Sequence, residues 1–279
     1  MAEKVTPSQT ALFAAAARAA HSIVDPEPHL LHDETALLLC KAVEPSPLDY
    51  QLAQPGASVL AAARLSACVR SNFAEKALTN AGVDQIVVVG AGLDTLAFRL
   101  PEHLQDRVWV IDRPGVLRWR SKLFDDAGVQ DVTRHIPIDI AEKAIYEELQ
   151  RSTIDLQRPI AIVWLGVSMY LEAEECRSFF SSLSKLAPGS HFIFDYHLAP
   201  DLRDIAGQEY ASAVSAMAGQ SGEPWKSSSD PGAMESWLAH SGWQVQLDID
   251  EASATPDDFF DVQEHLTPMR LVRLVSAKL

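Results

Sequence analysis

The residues best placed by type and spacing to do chemistry are Val87-Val88-Val89-Gly90-Ala91-Gly92-Leu93-Asp94-Thr95. A short β-branched run ends there in G-x-G. Glycines let a backbone turn tightly and pass close to a ligand. A second apolar run, Arg107 to Asp112, ends in an acid. A carboxylate at such a strand end can accept hydrogen bonds from the ribose hydroxyls of an adenosine ligand. Two ligand classes suit the pair. A dinucleotide wants G-x-G-x-x-G with a helix N-terminus on the pyrophosphate. Here Thr95 takes the third glycine's place, and Asp94 would set negative charge near that pyrophosphate. S-adenosyl-L-methionine has no phosphate and carries an ammonium and a sulfonium, so an acid beside the turn suits it better. A nicotinamide oxidoreductase is the competing reading, and a ligand-free glycine turn the plainest.

The elements that would position these groups follow from the hydrophobic pattern. Residues 8–22, 33–42 and 58–81 read as helices, the last closed by Gly82. Strand runs begin at Gln85, after which Arg107–Asp112, His135–Ile138, Pro159–Leu165 and His191–Tyr196 follow. A helix should follow the glycine turn. Helical patterns at 115–127, 140–151 and 173–187 alternate with the strands. That alternation predicts βαβ units and a doubly wound, mostly parallel α/β sheet. Beyond Pro200, helices are expected at 201–219 and 233–240, with a polar loop at 219–232. Two last strands, Trp243–Ile249 and Met269–Ser276, flank an acidic stretch expected to be solvated surface. One domain over 1–279 is expected: an N-terminal helical cap (1–82), a ligand-binding core (83–200), a helical lid (201–242) and C-terminal strands (243–279).

Composition narrows the partners. Among 279 residues, 23 Lys and Arg face 38 Asp and Glu, a net charge of −15. Nucleic-acid binding draws its affinity from cations on phosphates, and anionic membranes ask for the same. The densest positive cluster, Arg113, Arg118, Arg120 and Lys122, is interrupted by apolar residues. Neither nucleic acid nor membrane is therefore an expected partner. The three cysteines, Cys40, Cys68 and Cys176, lack metal spacing and read as reduced, buried thiols, so no metal is expected. Met1-Ala2-Glu3-Lys4 opens no apolar signal core, and no run nears the roughly 18 apolar residues of a membrane span. A cytoplasmic protein is expected.

Several segments, in order, carry a family resemblance. GAGLDTLAFRL (90–100) is similar to the glycine segment of the leucine carboxyl methyltransferase-like group of class I S-adenosyl-L-methionine-dependent methyltransferases. TALFAAAARAAHS, VRSNFAE, VIDRP, WLGVSMYL, PGSHFIFDY and GEPW resemble further segments of that group. The resemblance implies a seven-stranded Rossmann-like sheet with N-terminal helices and a helical lid. It implies S-adenosyl-L-methionine as cofactor and a small-molecule acceptor, with a carboxyl or hydroxyl group of a secondary metabolite methylated. Arg70 would reach the methionine carboxylate, Gly90, Ala91 and Gly92 would pass the methionine moiety, and Asp112 would hold the ribose. Asp139 would bond the adenine amino group with Ile140 flanking, and Leu165 and Gly166 would lie beside the sulfonium. Tyr170 would face the cavity. The group's usual Arg in the glycine segment is Leu96 here, its Glu before the second-strand acid is Val110, and its Glu after the fourth strand is Leu165. Those departures motivate a second reading, a SAM-binding protein with altered catalysis.

Simpler roles compete. Asp112 could cap the helix after Pro114, Asp139 the helix at 140–151, and Arg70 could pair with Glu75 on a helix face. A carboxylate acceptor is ionised at neutral pH and needs only a clamp, whereas a phenol or alcohol benefits from a general base. His197 stands where such a base could lie, and Arg203 is a candidate clamp. A monomer or homodimer is expected.

Overall fold

The computed structural model describes residue 5, residues 7–142 and residues 144–279. The Met1–Lys4 segment read above lies outside them. Four helices come first: α1 (Gln9–Val24), α2 (Glu34–Lys41), α3 (Leu48–Ala53) and α4 (Ser58–Ala81). The Ser8 and Asp33 side chains accept from Ala11 and Ala36 N–H and so start α1 and α2. Gly82, at φ 63°, closes α4 in the left-handed conformation that favours glycine. The sequence pattern left α3 unmarked, because six residues between prolines are too few to show a helical period.

Seven strands form one sheet in the order β3-β2-β1-β4-β5-β7-β6. They are β1 (Ile86–Val89), β2 (Val108–Asp112), β3 (Arg134–Pro137), β4 (Ala161–Trp164), β5 (His191–His197), β6 (Gln244–Asp250) and β7 (Val272–Lys278). The strands β1 to β5 pair in parallel, while β7 runs antiparallel to both β5 and β6. All of β1 and β4 is buried, as continuous apolar runs require. The strand order reverses between β1 and β4, which opens a crevice at their carboxyl ends.

Crossover helices α6 (Pro114–Asp126), α7 (Ile145–Arg151) and α8 (Ala173–Leu183) link the parallel strands. On one face Trp164 stacks on Phe179 at 4.5 Å, and Phe192 stacks on Phe194 at 4.4 Å. On the other, Leu65, Val69 and Phe73 of α4 pack with Val88, Val110 and Val163. Each such buried side chain contributes about 1.5–3 kcal/mol.

Four expectations are corrected. No long helix follows the glycine turn, which runs into a 3-10 turn at Leu96–Arg99 and a four-residue α5 (Glu102–Gln105). Asp94 Oδ1 accepts from Leu96 N–H, and Pro101 cannot donate to a continuing helix. The helix expected at 140–151 begins only at Ile145, so Asp139 is not its N-cap. Beyond β5, α9 (Ile205–Gln220) begins later than expected, at the Asp204 cap, and α10 (Pro231–His240) precedes β6.

The acidic stretch between β6 and β7 is not all solvated surface. Glu251, at the start of α11 (Glu251–Ala254), is 0% exposed. Its two carboxyl oxygens face the Ser66 hydroxyl and the Met269 N–H without well-formed hydrogen bonds. Burial pushes this carboxyl from 4.5 up to about 7. An acid raised in the folded state stabilises the fold while protonated. That stability is fully present below pH 4.5 and is lost as pH rises through about 7. Glu251→Gln is therefore expected to raise the melting temperature several degrees at pH 8 and to change it little at pH 5. Equal shifts at both pH values, read by scanning fluorimetry, would contradict a buried titrating acid.

Candidate functional site

A cavity of about 490 Å³ lies at the carboxyl ends of β1, β2 and β4. The structure brings Arg70, Gly90, Ala91, Gly92, Asp112, Asp139, Ile140, Leu165 and Gly166 together in its wall, with Tyr170 and His197. Arg203 is not in that wall. It lines a smaller neighbouring pocket, and its Nε donates to the Leu198 carbonyl at 2.8 Å. The structure therefore removes it as a clamp inside the main cavity.

The glycine turn is built from backbone bonds. The N–H groups of Gly90 and Ala91 donate to the Ile111 carbonyl at 2.8 and 3.0 Å. Gly90 sits at φ 67°, and a Cβ there would meet Val167 Cγ2 at 2.4 Å. Only glycine lets the loop after β4 close on the turn. Asp112 completes it: Oδ2 accepts from Gly92 N–H at 2.8 Å and Oδ1 from Arg113 N–H at 2.7 Å. A carboxylate has about four acceptor sites, so two remain for ribose hydroxyls. Burial pushes the Asp112 carboxyl up, and these two N–H bonds oppose it. The N-cap of α6 is Arg113, so Asp112 is not its cap.

Beneath the turn lies an ionic brace that sequence reasoning missed. Asp33 Oδ2 accepts from Arg18 Nε at 2.8 Å and Thr95 Oγ1 at 2.6 Å, and Arg99 stands 2.9 Å away. Arg18 also donates to the Leu93 carbonyl at 2.8 Å. Burial alone would raise Asp33, but Arg18 and Arg99 hold it down at about 2. Arg120, fully buried on α6, donates to the Asp94 carbonyl at 2.7 Å and pairs with Asp131 at 2.9 Å. The visible signals were a lone Arg18 inside an alanine-rich helix and an acid closing a proline-flanked loop. Neither names its partner without the fold.

Across the cavity, Arg70 Nη1 bonds Asp195 Oδ2 at 3.2 Å, not Glu75. Glu75 pairs with Arg99 at 2.7 Å instead. Burial works against the Arg70 charge, and Asp195, Tyr210 and Glu251 together more than offset it. The other Asp195 oxygen accepts from Gly166 N–H at 2.6 Å, so one buried acid orients both wall residues. No sequence signal marked Asp195 for that role. Among the departures from the family pattern, Leu96 and Val110 are buried in the core and outside the cavity wall. The third, Leu165, lines the cavity.

The roof comes from α9, the 221–226 segment and the start of α1. Glu223 in GEPW accepts from Thr10 Oγ1 at 2.6 Å and Ser8 Oγ at 3.1 Å, and lies 3.4 Å from Arg113. His197 packs edge-on against Trp225 at 4.3 Å, with Nδ1 buried and unpartnered. Burial, then Arg70 and Arg203, push His197 down to about 3. Burial pushes the Tyr170 phenol up. The donor set suits S-adenosyl-L-methionine: a strand-end carboxylate, a second acid at Asp139 and an anchored guanidinium, all in one wall.

Known proteins share this chain's sequence pattern and fold. The family model described as leucine carboxyl methyltransferase matches residues 11–184. A protein of Mycobacteroides abscessus named "Putative S-adenosyl-L-methionine-dependent methyltransferase" is 30% identical over 269 residues, covering 85% of this chain and 83% of its own. The similarly named YktD of Bacillus subtilis is 30% identical over 200 residues, covering 69% of this chain and 64% of its own. A crystal structure titled as a putative methyltransferase from Thermobifida fusca superposes with a TM-score of 0.60 at 19% identity. It covers 98% of this chain and 95% of that one, and shares the fold. The chain belongs to the leucine carboxyl methyltransferase family of S-adenosyl-L-methionine-dependent methyltransferases.

Proposed function

We propose that this chain is an O-methyltransferase that esterifies the carboxyl group of a small, largely apolar acid of the kind made in secondary metabolism. S-adenosyl-L-methionine supplies an electrophilic methyl group on its sulfonium. In this reading Asp112 holds the ribose, Asp139 the adenine amino group beside Ile140, and Arg70 the methionine carboxylate. Gly90, Ala91 and Gly92 keep the turn close to the methionine moiety, while Leu165 and Gly166 wall the sulfur. Tyr170, Tyr210 and Trp225 shape the acceptor side. Residues 201–242 act as a lid on a single methyltransferase unit, latched through Glu223 to the start of α1. Alignment in such a closed site can supply up to roughly 7–11 kcal/mol of the barrier.

The observation that carries the carboxyl reading is the burial of His197 edge-on against Trp225, with no partner to hold a proton on Nδ1. Held down at about 3, it is too weak a base to deprotonate a phenol or alcohol at neutral pH. Tyr210 is pushed up to about 12 by burial and is no base either. Glu223 is occupied by Ser8, Thr10 and Arg113. A carboxylate acceptor arrives already ionised and needs none of them. Lys226, at the cavity edge, replaces Arg203 as the cation that can meet it. The net charge of −15 disfavours a polyanionic acceptor.

The bond formed is the test. Protein, methyl-labelled S-adenosyl-L-methionine and matched panels of apolar acids and phenols are incubated together. Label released as methanol by mild alkali is expected, since esters hydrolyse there and aryl ethers do not. Alkali-stable label from the phenols alone would overturn the carboxyl assignment and leave methyl transfer standing.

A further inference from the structure

The loop between α1 and α2 reads Asp25-Pro26-Glu27-Pro28-His29-Leu30-Leu31-His32-Asp33 and lies outside the methyl-transfer cavity. A carboxylate oxygen of Glu27 and one ring nitrogen each of His29 and His32 lie within 4.8 Å of one another. The His29 ring is the informative one, with its side chain only 7% exposed. Its Nε2 is 2.9 Å from the Asp25 carbonyl oxygen. A carbonyl can only accept, so Nε2 carries a proton and, in the neutral ring, Nδ1 carries a lone pair.

That Nδ1 is buried and makes no hydrogen bond, although Glu27 Oε1 is 2.9 Å away. The distance suits a hydrogen bond, so it is the direction that fails. A bridging proton does not explain this contact, because the Nδ1 lone pair is not aimed at the Glu27 oxygen. Two ligands of one cation are arranged in this way, each lone pair pointing at the ion and not at the other ligand. We propose that Glu27, His29 and His32 form a binding site for a divalent transition-metal ion of the zinc type, with His29 Nδ1 as its buried ligand.

The surroundings support a site with a prepared ligand. Metal-binding imidazoles almost always donate their other N–H to a carbonyl or carboxylate, which fixes tautomer and ring orientation. The Asp25 carbonyl does this for His29. Asp25 is itself fixed, accepting from Arg64 Nε at 2.9 Å and Nη2 at 2.8 Å and facing His21 Nδ1 at 2.9 Å. Downstream, Leu30 N–H donates to His21 Nε2 and its carbonyl accepts from Asn72. The buried ligand thus sits on an anchored backbone; Glu27 and His32 are exposed, and Glu27 Oε2 accepts from the His29 N–H at 3.0 Å, which leaves Oε1 beside His29 Nδ1 for the ion. Two imidazoles and one carboxylate form an N,O set that selects zinc-like ions over magnesium or calcium. Tetrahedral zinc places its ligands about 3.3 Å apart, within reach of these side chains, and leaves a fourth position for water. Asp33, which braces the glycine turn, closes this same loop, so the ion would pin the segment that delivers it.

The test uses the full chain after chelator treatment, with zinc chloride titrated in by calorimetry. Uptake of one ion per chain and a higher melting temperature are expected. Glu27→Ala and His32→Ala change exposed residues and leave the fold intact, and each is expected to weaken uptake by roughly 100-fold or more. Nitrogen-15 NMR of the histidine rings provides a second readout: zinc should shift His29 Nδ1 while Nε2 stays protonated. No stoichiometric uptake, uptake retained by both variants, or a metal shift at Nε2 would each overturn the proposal. S-adenosyl-L-homocysteine binding is measured alongside, so the failure of this site and of the methyltransferase reading remain separable.

Discussion

Asp112→Ala is expected to raise the dissociation constant for S-adenosyl-L-homocysteine by at least about 30-fold. A hydrogen bond to a charged acceptor contributes about 1.5–3 kcal/mol, and the ribose would lose both hydroxyl contacts. The substitution also strips the Gly92 and Arg113 N–H groups of their shared acceptor. The turn that walls the methionine moiety then loosens, which adds to the loss. Asp112→Asn keeps the shape and one acceptor oxygen, so an intermediate loss is expected. Calorimetric titration, with circular dichroism to show that each variant is folded, checks both. Unchanged affinity in folded Asp112→Ala protein would remove this residue from the site.

Asp33→Asn is expected to destabilise the fold by about 3–5 kcal/mol, because Arg18 and Arg99 lose the buried anion they share and only Arg99 keeps a second acidic partner, Glu75. Arg18 and Arg99 would remain buried around a neutral amide. For a chain of this size that corresponds to a fall of about 10 °C in melting temperature. The pH dependence gives a second signature. Asp33 is lowered from 3.8 to about 2 in the folded state, so its stabilisation is present above pH 3.8 and is lost as pH falls through about 2. The wild-type protein should lose about 2 kcal/mol by this route on acidification, and the variant should lack that component. Thermal unfolding at pH 7 measures the first; at pH 3, midway between 3.8 and about 2, roughly half of the second should already be lost. A variant melting within about 2 °C of wild type at pH 7 would show that the brace contributes little.

Asp33 also shows where sequence reading stops. The glycine turn, the acid at the end of β2 and the alternation of strands and helices were legible, because each rests on local chemistry or period. The converging wall from Arg70 to Gly166 was legible through ordered motifs. The acids behind that wall were not. Asp33, Asp131 and Asp195 act through partners that the fold brings from other elements. Glu251 shows the converse error: one residue in an acidic run reads as solvated, yet α11 packs against α4 and buries it. The missing helix after Thr95 has a similar cause, since the expectation rested on a generic strand-turn-helix pattern. The local bond from Leu96 to Asp94 and the buried pairing of Arg99 set a shorter turn there.

A crystal structure with S-adenosyl-L-homocysteine bound tests the assignment of this site most directly. The expected result has both ribose hydroxyls on Asp112, the adenine amino group at Asp139, and the ligand carboxylate at Arg70, which Asp195 still holds. Among the described residues no helix is long and apolar enough to cross a membrane. Ligand lodged away from the carboxyl ends of β1, β2 and β4, or a ribose that leaves Asp112 untouched, would contradict the site described above.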